Sequence, residues 1–170
     1  VTRVHKDRRR WTLPAVATVV LTGVGAAAQS APDIALVNES PSVPRGLYLR
    51  DPAAVVRRGD MVAIPQPADA RPYLASLGLP AEIRLLKRAA GVAGDPVCRI
   101  GDTVEIDGRR VVVLASDRRG ADLIQWRGCR RLQPDEVFLL GDTPGSFDSR
   151  YFGPVRVSDL DGVFRETLTW

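Results

Sequence analysis

The sequence predicts a mainly β protein built on antiparallel sheet, with little helix. Three observations carry that expectation. Short apolar, β-branched runs recur along the chain between clusters of turn formers. Thirteen prolines and 15 glycines punctuate the 170 residues, too many for long uninterrupted helices. The stretch Val104-Glu105-Ile106-Asp107-Gly108-Arg109-Arg110-Val111-Val112 sets two β-rich arms around Asp-Gly. That dipeptide is favoured in two-residue hairpin turns because both central residues must take positive φ.

The elements follow in order. Residues 1–10 form a basic tail in which Arg3, Lys6, Arg8, Arg9 and Arg10 stand against Asp7 alone. Trp11 to Pro32 then carries no charged side chain. This is close to the ~20 residues needed to cross a bilayer core, although three Thr, two Gly and Pro14 dilute its apolar character. Basic charge precedes the stretch and Asp33 is the first charge after it. By the positive-inside rule the tail is expected to stay cytoplasmic and the remainder to be exported. The stretch either remains as a membrane anchor or is cut as a signal peptide after Ala26-Ala27-Ala28. A buried soluble helix is the third reading, disfavoured by such one-sided flanks.

A short linker begins at residue 33. Asn38-Glu39-Ser40-Pro41-Ser42-Val43-Pro44 is polar and broken by proline, so it is no regular helix, and Gly46–Arg50 reads as a strand. Arg58-Gly59-Asp60 marks a turn before the apolar strand 61–65. Apolar positions at helical spacing between Pro and Gly predict a short helix over 69–77. Residues 83–92 read as a buried strand carrying Lys87, and 93–97 as a turn. After the hairpin comes a looser stretch from 115 to 133. Glu136–Leu140 is another apolar strand, 141–155 a loop dense in turn formers, and the C-terminal residues a final strand. Residues 33–95 and 137–170 are therefore expected to make the core, with 96–136 as a small inserted lobe.

Charge placement narrows the function. The sequence pI is about 9.6, which invites a nucleic-acid reading. The tail alone accounts for the net +4, however, and residues 11–170 balance at 19 basic and 19 acidic side chains. No basic surface is left to steer toward phosphate, so nucleic acid is excluded as a partner. Cys98 and Cys129 both lie in the part expected to be exported. A disulfide is the reading that an oxidising compartment favours, and two separate buried thiols are the alternative. Two Cys without a neighbouring His do not make a metal site.

Lysine usage is the sharpest signal. Of 24 basic residues, 22 are Arg and only Lys6 and Lys87 are Lys. Arg never gives up its proton, whereas a desolvated Lys does. The single histidine, His5, sits in the tail, so no Ser-His-Asp triad is available downstream. If a hydroxyl nucleophile is present, Lys87 is its activator, and its apolar neighbours Leu85, Leu86, Ala89 and Ala90 are suited to lowering its pKa. A surface lysine on a strand edge is the plain alternative.

Four segments resemble a known family in composition and order. They are Ser40-Pro41-Ser42-Val43-Pro44, Arg58-Gly59-Asp60-Met61-Val62, Lys87–Asp95, and Gly141-Asp142-Thr143-Pro144-Gly145-Ser146-Phe147-Asp148-Ser149-Arg150-Tyr151-Phe152-Gly153-Pro154-Val155. The set resembles the type I signal peptidases, serine proteases with a Ser/Lys dyad. Within them it is most similar to the TraF-type conjugal-transfer peptidases that process pilin. The subfamily cues are Ser-x-Pro-x-Gly-Leu-Tyr at Ser42–Tyr48, Ser-Phe-Asp-x-Arg-Tyr-Phe-Gly-Pro at Ser146–Pro154, and a terminal Thr-Trp.

The resemblance implies an antiparallel, signal-peptidase-like catalytic core and a role for each matching residue. Ser42 matches the nucleophile and Lys87 its base. Ser40 matches the hydroxyl that completes the oxyanion hole with the Ser42 backbone N–H. Read from the residues alone, the two serines could exchange roles or be turn serines in a proline-rich loop. Ser146 matches a hydroxyl that hydrogen-bonds and orients the lysine, and Asp148 and Arg150 resemble a pair that holds this loop on the core. The family's usual Met after the nucleophile is Val43 here, and the segment between Asp95 and Gly141 is short. Both departures point to a specialised enzyme.

The implied function is a membrane-associated serine endopeptidase of the bacterial inner membrane, with its catalytic domain in the periplasm. It would cut an exported precursor, foremost a conjugative pilin, at a small-residue site, with components of a conjugative or type IV secretion apparatus as further partners. No metal or cofactor is implied. The rivals are a general type I signal peptidase and a non-catalytic assembly factor that keeps the fold. A self-cleaving repressor with a Ser/Lys core would need a DNA-binding module where this chain has the uncharged stretch.

Overall fold

The computed structural model describes residues 33–170. The expected basic tail and membrane or signal segment lie outside the described residues. Among the described residues no helix is long and apolar enough to cross a membrane.

The architecture is mainly antiparallel β, as expected. One sheet has seven strands in the order β1-β2-β11-β3-β4-β9-β10: β1 (Ala35–Asn38), β2 (Gly46–Asp51), β3 (Met61–Ile64), β4 (Leu85–Gly91), β9 (Glu136–Leu140), β10 (Val155–Arg156) and β11 (Gly162–Thr169). A second sheet, in the order β7-β6-β5-β8, is built from β5 (Pro96–Ile100), β6 (Thr103–Ile106), β7 (Arg109–Val112) and β8 (Cys129–Arg131). The C-terminal strand β11 lies between β2 and β3 and pairs with both. It thereby ties the Ser42 side of the sheet to the Lys87 side.

The β6–β7 hairpin turns on Asp107 and Gly108, whose φ values of 49° and 73° are the positive pair that such a turn demands. The short helix falls at Arg71–Ser76, preceded by a 3-10 turn over Ala68–Ala70. Four stretches differ from the sequence reading, the first being 115–133, read as loose, which contains β8. The linker around Ala35–Asn38 is strand β1, with Leu36 and Asn38 turned inward and Ala35 and Val37 outward. Pro96 and Val97, read as turn, begin β5. The loop 141–155 contains a helical turn, Ser149–Phe152, capped by the Asp148 carboxylate, which accepts from the Arg150 N–H.

Strand β4 is buried on both faces. Side chains alternate along a strand, so Lys87 shares its face with Leu85 and Ala89, while Val62 of β3 lies opposite it in register. Leu85, Ala89 and Val62 belong to an apolar cluster with Val137, Leu139 and Leu74. The ammonium is thus carried on an apolar sheet face. A second cluster joins Val97, Val104 and Ile106 of the four-stranded sheet to Phe138, Leu140 and Tyr151. The 96–136 segment therefore shares its core with the main sheet.

Cys98 and Cys129 stand opposite each other on β5 and β8 and are joined by a disulfide. β8 is short and fully exposed, so the covalent link does much to hold it. Replacing both cysteines by serine is expected to lower unfolding free energy by about 2–4 kcal/mol in urea titration. The far-ultraviolet dichroism of the folded state should not change.

Candidate active site

The Ser42 loop enters from β1 and leaves into β2, and Asn38, at the end of β1, organises it. The Asn38 side-chain amide donates to the carbonyls of Ser40 at 2.9 Å, Val43 at 3.1 Å and Pro44 at 2.9 Å. Its carbonyl oxygen accepts from the Ser40 N–H at 3.1 Å. The buried Tyr48 adds a hydroxyl that donates to the Pro44 carbonyl at 2.7 Å. Four backbone groups of a turn that cannot pair with a sheet are satisfied in this way. Sequence reading missed Asn38; the signal available was its place at the start of a proline-broken turn, where Asx side chains bond nearby backbone.

Lys87 is brought to this loop from β4. Its Nζ lies 2.8 Å from Ser42 Oγ, and both side chains are buried, at 5% and 6% exposure. Ser40 Oγ lies 3.0 Å from Ser42 Oγ and accepts from the Ser42 backbone N–H at 3.2 Å. The contact with Lys87 therefore belongs to Ser42, with Ser40 one hydroxyl further out. Burial pushes the Lys87 pKa down from 10.5 to about 8. The field of Arg150 pushes the same way, while Asp148 and Asp142 oppose it.

Gly141 follows β9 at the crossing of three segments. Its N–H donates to Asp148 Oδ2 at 2.8 Å. A Cβ built there would sit 2.0 Å from Ser146 Oγ and 2.9 Å from the Ser42 carbonyl oxygen. Only glycine allows that approach. The next residue, Asp142, donates its N–H to the Ser42 carbonyl at 2.6 Å. Its carboxylate takes a two-pronged contact from Arg88, at 2.9 and 2.8 Å. That pairing holds the Asp142 carboxyl below the usual carboxylate range.

Ser146 is 3% exposed, and its Oγ has no hydrogen-bond partner among the described residues. The expected bond from Ser146 to Lys87 is therefore not made in this structure. The hydroxyl is packed against the Cα of Gly141, and the hydrogen bond recorded for Lys87 Nζ goes to Ser42. Asp148 and Arg150 form a buried ion pair, 0% and 3% exposed at their side chains, with Nε to Oδ1 at 2.8 Å and a second contact from Nη2 to Oδ2 at 2.8 Å. The remaining guanidinium donors reach the carbonyls of Val112, Pro144, Thr143 and Ser146. Both charges are fully partnered, the condition under which a buried pair is tolerated. The pair clamps the 143–148 loop and reaches the end of β7.

A protein-family model described as "Signal peptidase, peptidase S26" matches residues 8–170. The probable conjugal transfer protein TraF of Sinorhizobium fredii is 33% identical over 98% of this chain and 94% of its own length. The plasmid transfer protein TraF of Escherichia coli is 31% identical over 80% of this chain and 84% of its own. The conjugal transfer protein TraF of Agrobacterium fabrum is 35% identical over 79% and 82%. A crystal structure of a signal peptidase I from Enterococcus faecalis, 24% identical, covers 65% of this chain and 97% of that one at a TM-score of 0.38. The chain belongs to the S26 signal peptidase family.

The burial of Lys87 has a stability consequence with a definite sign. Its folded pKa is depressed, so the cost of keeping it protonated is fully present below pH 8 and is relieved as pH rises from 8 toward 10.5. At pH 7 that cost is about 3 kcal/mol. Lys87→Met is expected to be more stable than the wild type at pH 7, by up to about 3 kcal/mol, with the advantage shrinking by pH 9.5. Urea titrations of both proteins across this range measure the difference; a gap that stays constant with pH would contradict the assignment.

Proposed function

We propose that this chain is a serine endopeptidase working through a Ser42/Lys87 dyad. The observation that carries the reading is the 2.8 Å contact between a buried serine hydroxyl and a buried lysine amine on an apolar sheet. With neutral Lys87, the Ser42 O–H donates to Nζ. Ser42 Oγ attacks the scissile carbonyl as its proton passes to Lys87. The Ser42 backbone N–H, released from Ser40 Oγ, and the Ser40 hydroxyl donate to the tetrahedral oxyanion. Such a donor is worth about 2.7–4 kcal/mol in the transition state. Collapse breaks the C–N bond, and Lys87 returns the proton to the leaving amine. Water, deprotonated by Lys87, then resolves the acyl-enzyme.

The substrate reading is an exported precursor cut at a small-residue site, and specifically a conjugative pilin. Three curated relatives named for conjugal or plasmid transfer support it. The cellular reading is the inner membrane, with residues 33–170 in the periplasm. The charge step around residues 11–32 supports this, as does the Cys98–Cys129 disulfide, a bond that persists in oxidising compartments.

Intact-mass measurement on a candidate pilin precursor, coexpressed with wild type, Ser42→Ala or Lys87→Arg, tests the proposal. Loss of a defined peptide with the wild type alone is the expected result. Processing that persists in Ser42→Ala overturns the dyad. A precursor unchanged by all three, beside many accumulated exported precursors in a deletion strain, replaces pilin processing with general signal-peptide removal.

A further inference from the structure

A cavity of about 330 Å³ opens next to the Ser42 loop. Pro41, the residue before Ser42, and Gly145, the residue before Ser146, both line it. Its apolar surface comes from Leu77, Leu114, Leu123 and Phe147. The Phe147 ring stacks on Tyr151 with centroids 5.1 Å apart and lies 4.6 Å from Tyr73, so this wall is a fixed aromatic cluster. Leu77 and Leu114 remain 38% and 41% exposed. The fold alone leaves these large apolar side chains uncovered around the cavity.

Charged groups also line the cavity, and the one carboxylate among them is engaged within the fold. The Asp117 carboxylate accepts from the Tyr73 hydroxyl at 3.2 Å, from the N–H groups of Arg119 at 2.8 Å and Ala121 at 2.9 Å, and from Arg119 Nε at 3.2 Å. Saturated in this way, it offers little to a cationic guest. Arg118 and Arg119 line the cavity as well. The volume sits at the lower end of the ~300–1,000 Å³ range of ligand pockets, more than an alanine methyl requires.

The loop that walls the cavity also fixes its relation to the chemistry. Gly145 and Phe147 belong to the Gly141–Asp148 stretch, which packs against the Ser42 carbonyl through Gly141 and Asp142. Its Asp148 carboxylate is the strongest charged influence on Lys87. In the proposed mechanism Lys87 delivers its proton to the leaving amine. The cavity thus adjoins, through Pro41 and the 141–148 loop, the residues that hand the proton to the leaving chain.

We propose that this cavity is a specificity subsite for a large apolar side chain, aliphatic or aromatic, within two residues of the scissile bond on its leaving-group side. The proposal rests on the serine-peptidase reading and adds to it. The small-residue preference expected of the family concerns the acyl side and needs no such volume. Gly145 supplies the probe: a Cβ added there meets no atom within 4 Å, and its φ is not among the positive ones. Gly145→Leu therefore adds bulk at a residue that lines the cavity, without backbone strain.

The test uses the full chain in detergent micelles with two kinds of substrate. One is a set of peptides cut after Ala, with Ala, Leu, Phe or Glu placed at the first and then the second position beyond the cut. The other is the acyl-side peptide as its methyl ester, whose leaving group carries no chain. Leu or Phe is expected to raise kcat/KM about ten- to a hundredfold over Ala at one of the two positions. Gly145→Leu, and independently Leu114→Glu at the rim, should flatten that preference to within about threefold while methyl-ester turnover stays at the wild-type rate. A wild type that turns over all peptides equally, or prefers Glu, overturns the subsite and leaves the peptidase reading standing. So does a preference that survives both variants. No turnover of any substrate, the methyl ester included, overturns both.

Discussion

One buried amine sets the terms for the rest of the molecule. Lys87 sits on the apolar face of a strand enclosed on both sides, beside Val62, Leu85 and Ala89, and burial is what brings its pKa down to about 8. Val62 lies opposite the lysine in register, and β2, into which the Ser42 loop leads, is joined through β11 and β3 to the lysine's own strand, so that loop and amine belong to one sheet. The arrangement costs stability at neutral pH, because the unfolded chain solvates Lys87 freely. A core optimised only for folding would carry methionine at this position.

Charges close to Lys87 are balanced so that burial decides its protonation. Asp148 and Asp142 both favour the ammonium, and each is engaged by a guanidinium: Asp148 by the buried Arg150, Asp142 by the half-exposed Arg88. Arg150 is more than a counter-ion. By donating to four backbone carbonyls between Val112 and Ser146 it binds the loop that approaches Ser42 to the lobe bearing the disulfide. The planar fork of arginine suits this task and a lysine ammonium does not. In the proposed mechanism the two cationic residue types divide by chemistry, arginine for architecture and the one lysine of the sheet for a movable proton.

Much of this was legible in the sequence because it is local or compositional. The Asp107-Gly108 hairpin needs only its own turn geometry, and Lys87 stood out against 22 arginines. Most of what escaped depends on partners distant in the chain. Strand β1 exists because β2 returns to pair with it, and four residues of alternating burial gave too short a pattern to find alone. The carbonyls that meet Asn38 converge only once the proline turn has closed. The Ser149–Phe152 helical turn did carry its signals, Asp148 as N-cap and Gly153 at a φ of 81° just past the end, but they were submerged in turn formers. The expected bond between Ser146 and Lys87 depends on how two segments distant in the chain meet, which spacing cannot specify.

Selective labelling can read the central group directly, because the chain has only two lysines. With lysine carrying carbon-13 at the ε position, two resonances are expected, and Lys87→Met assigns the one from the sheet. Titration from pH 6 to 11 in the folded protein should move the Lys87 resonance with a midpoint near 8. A midpoint at the ordinary 10.5 would contradict a buried, proton-accepting Lys87 and remove the base from the proposed chemistry.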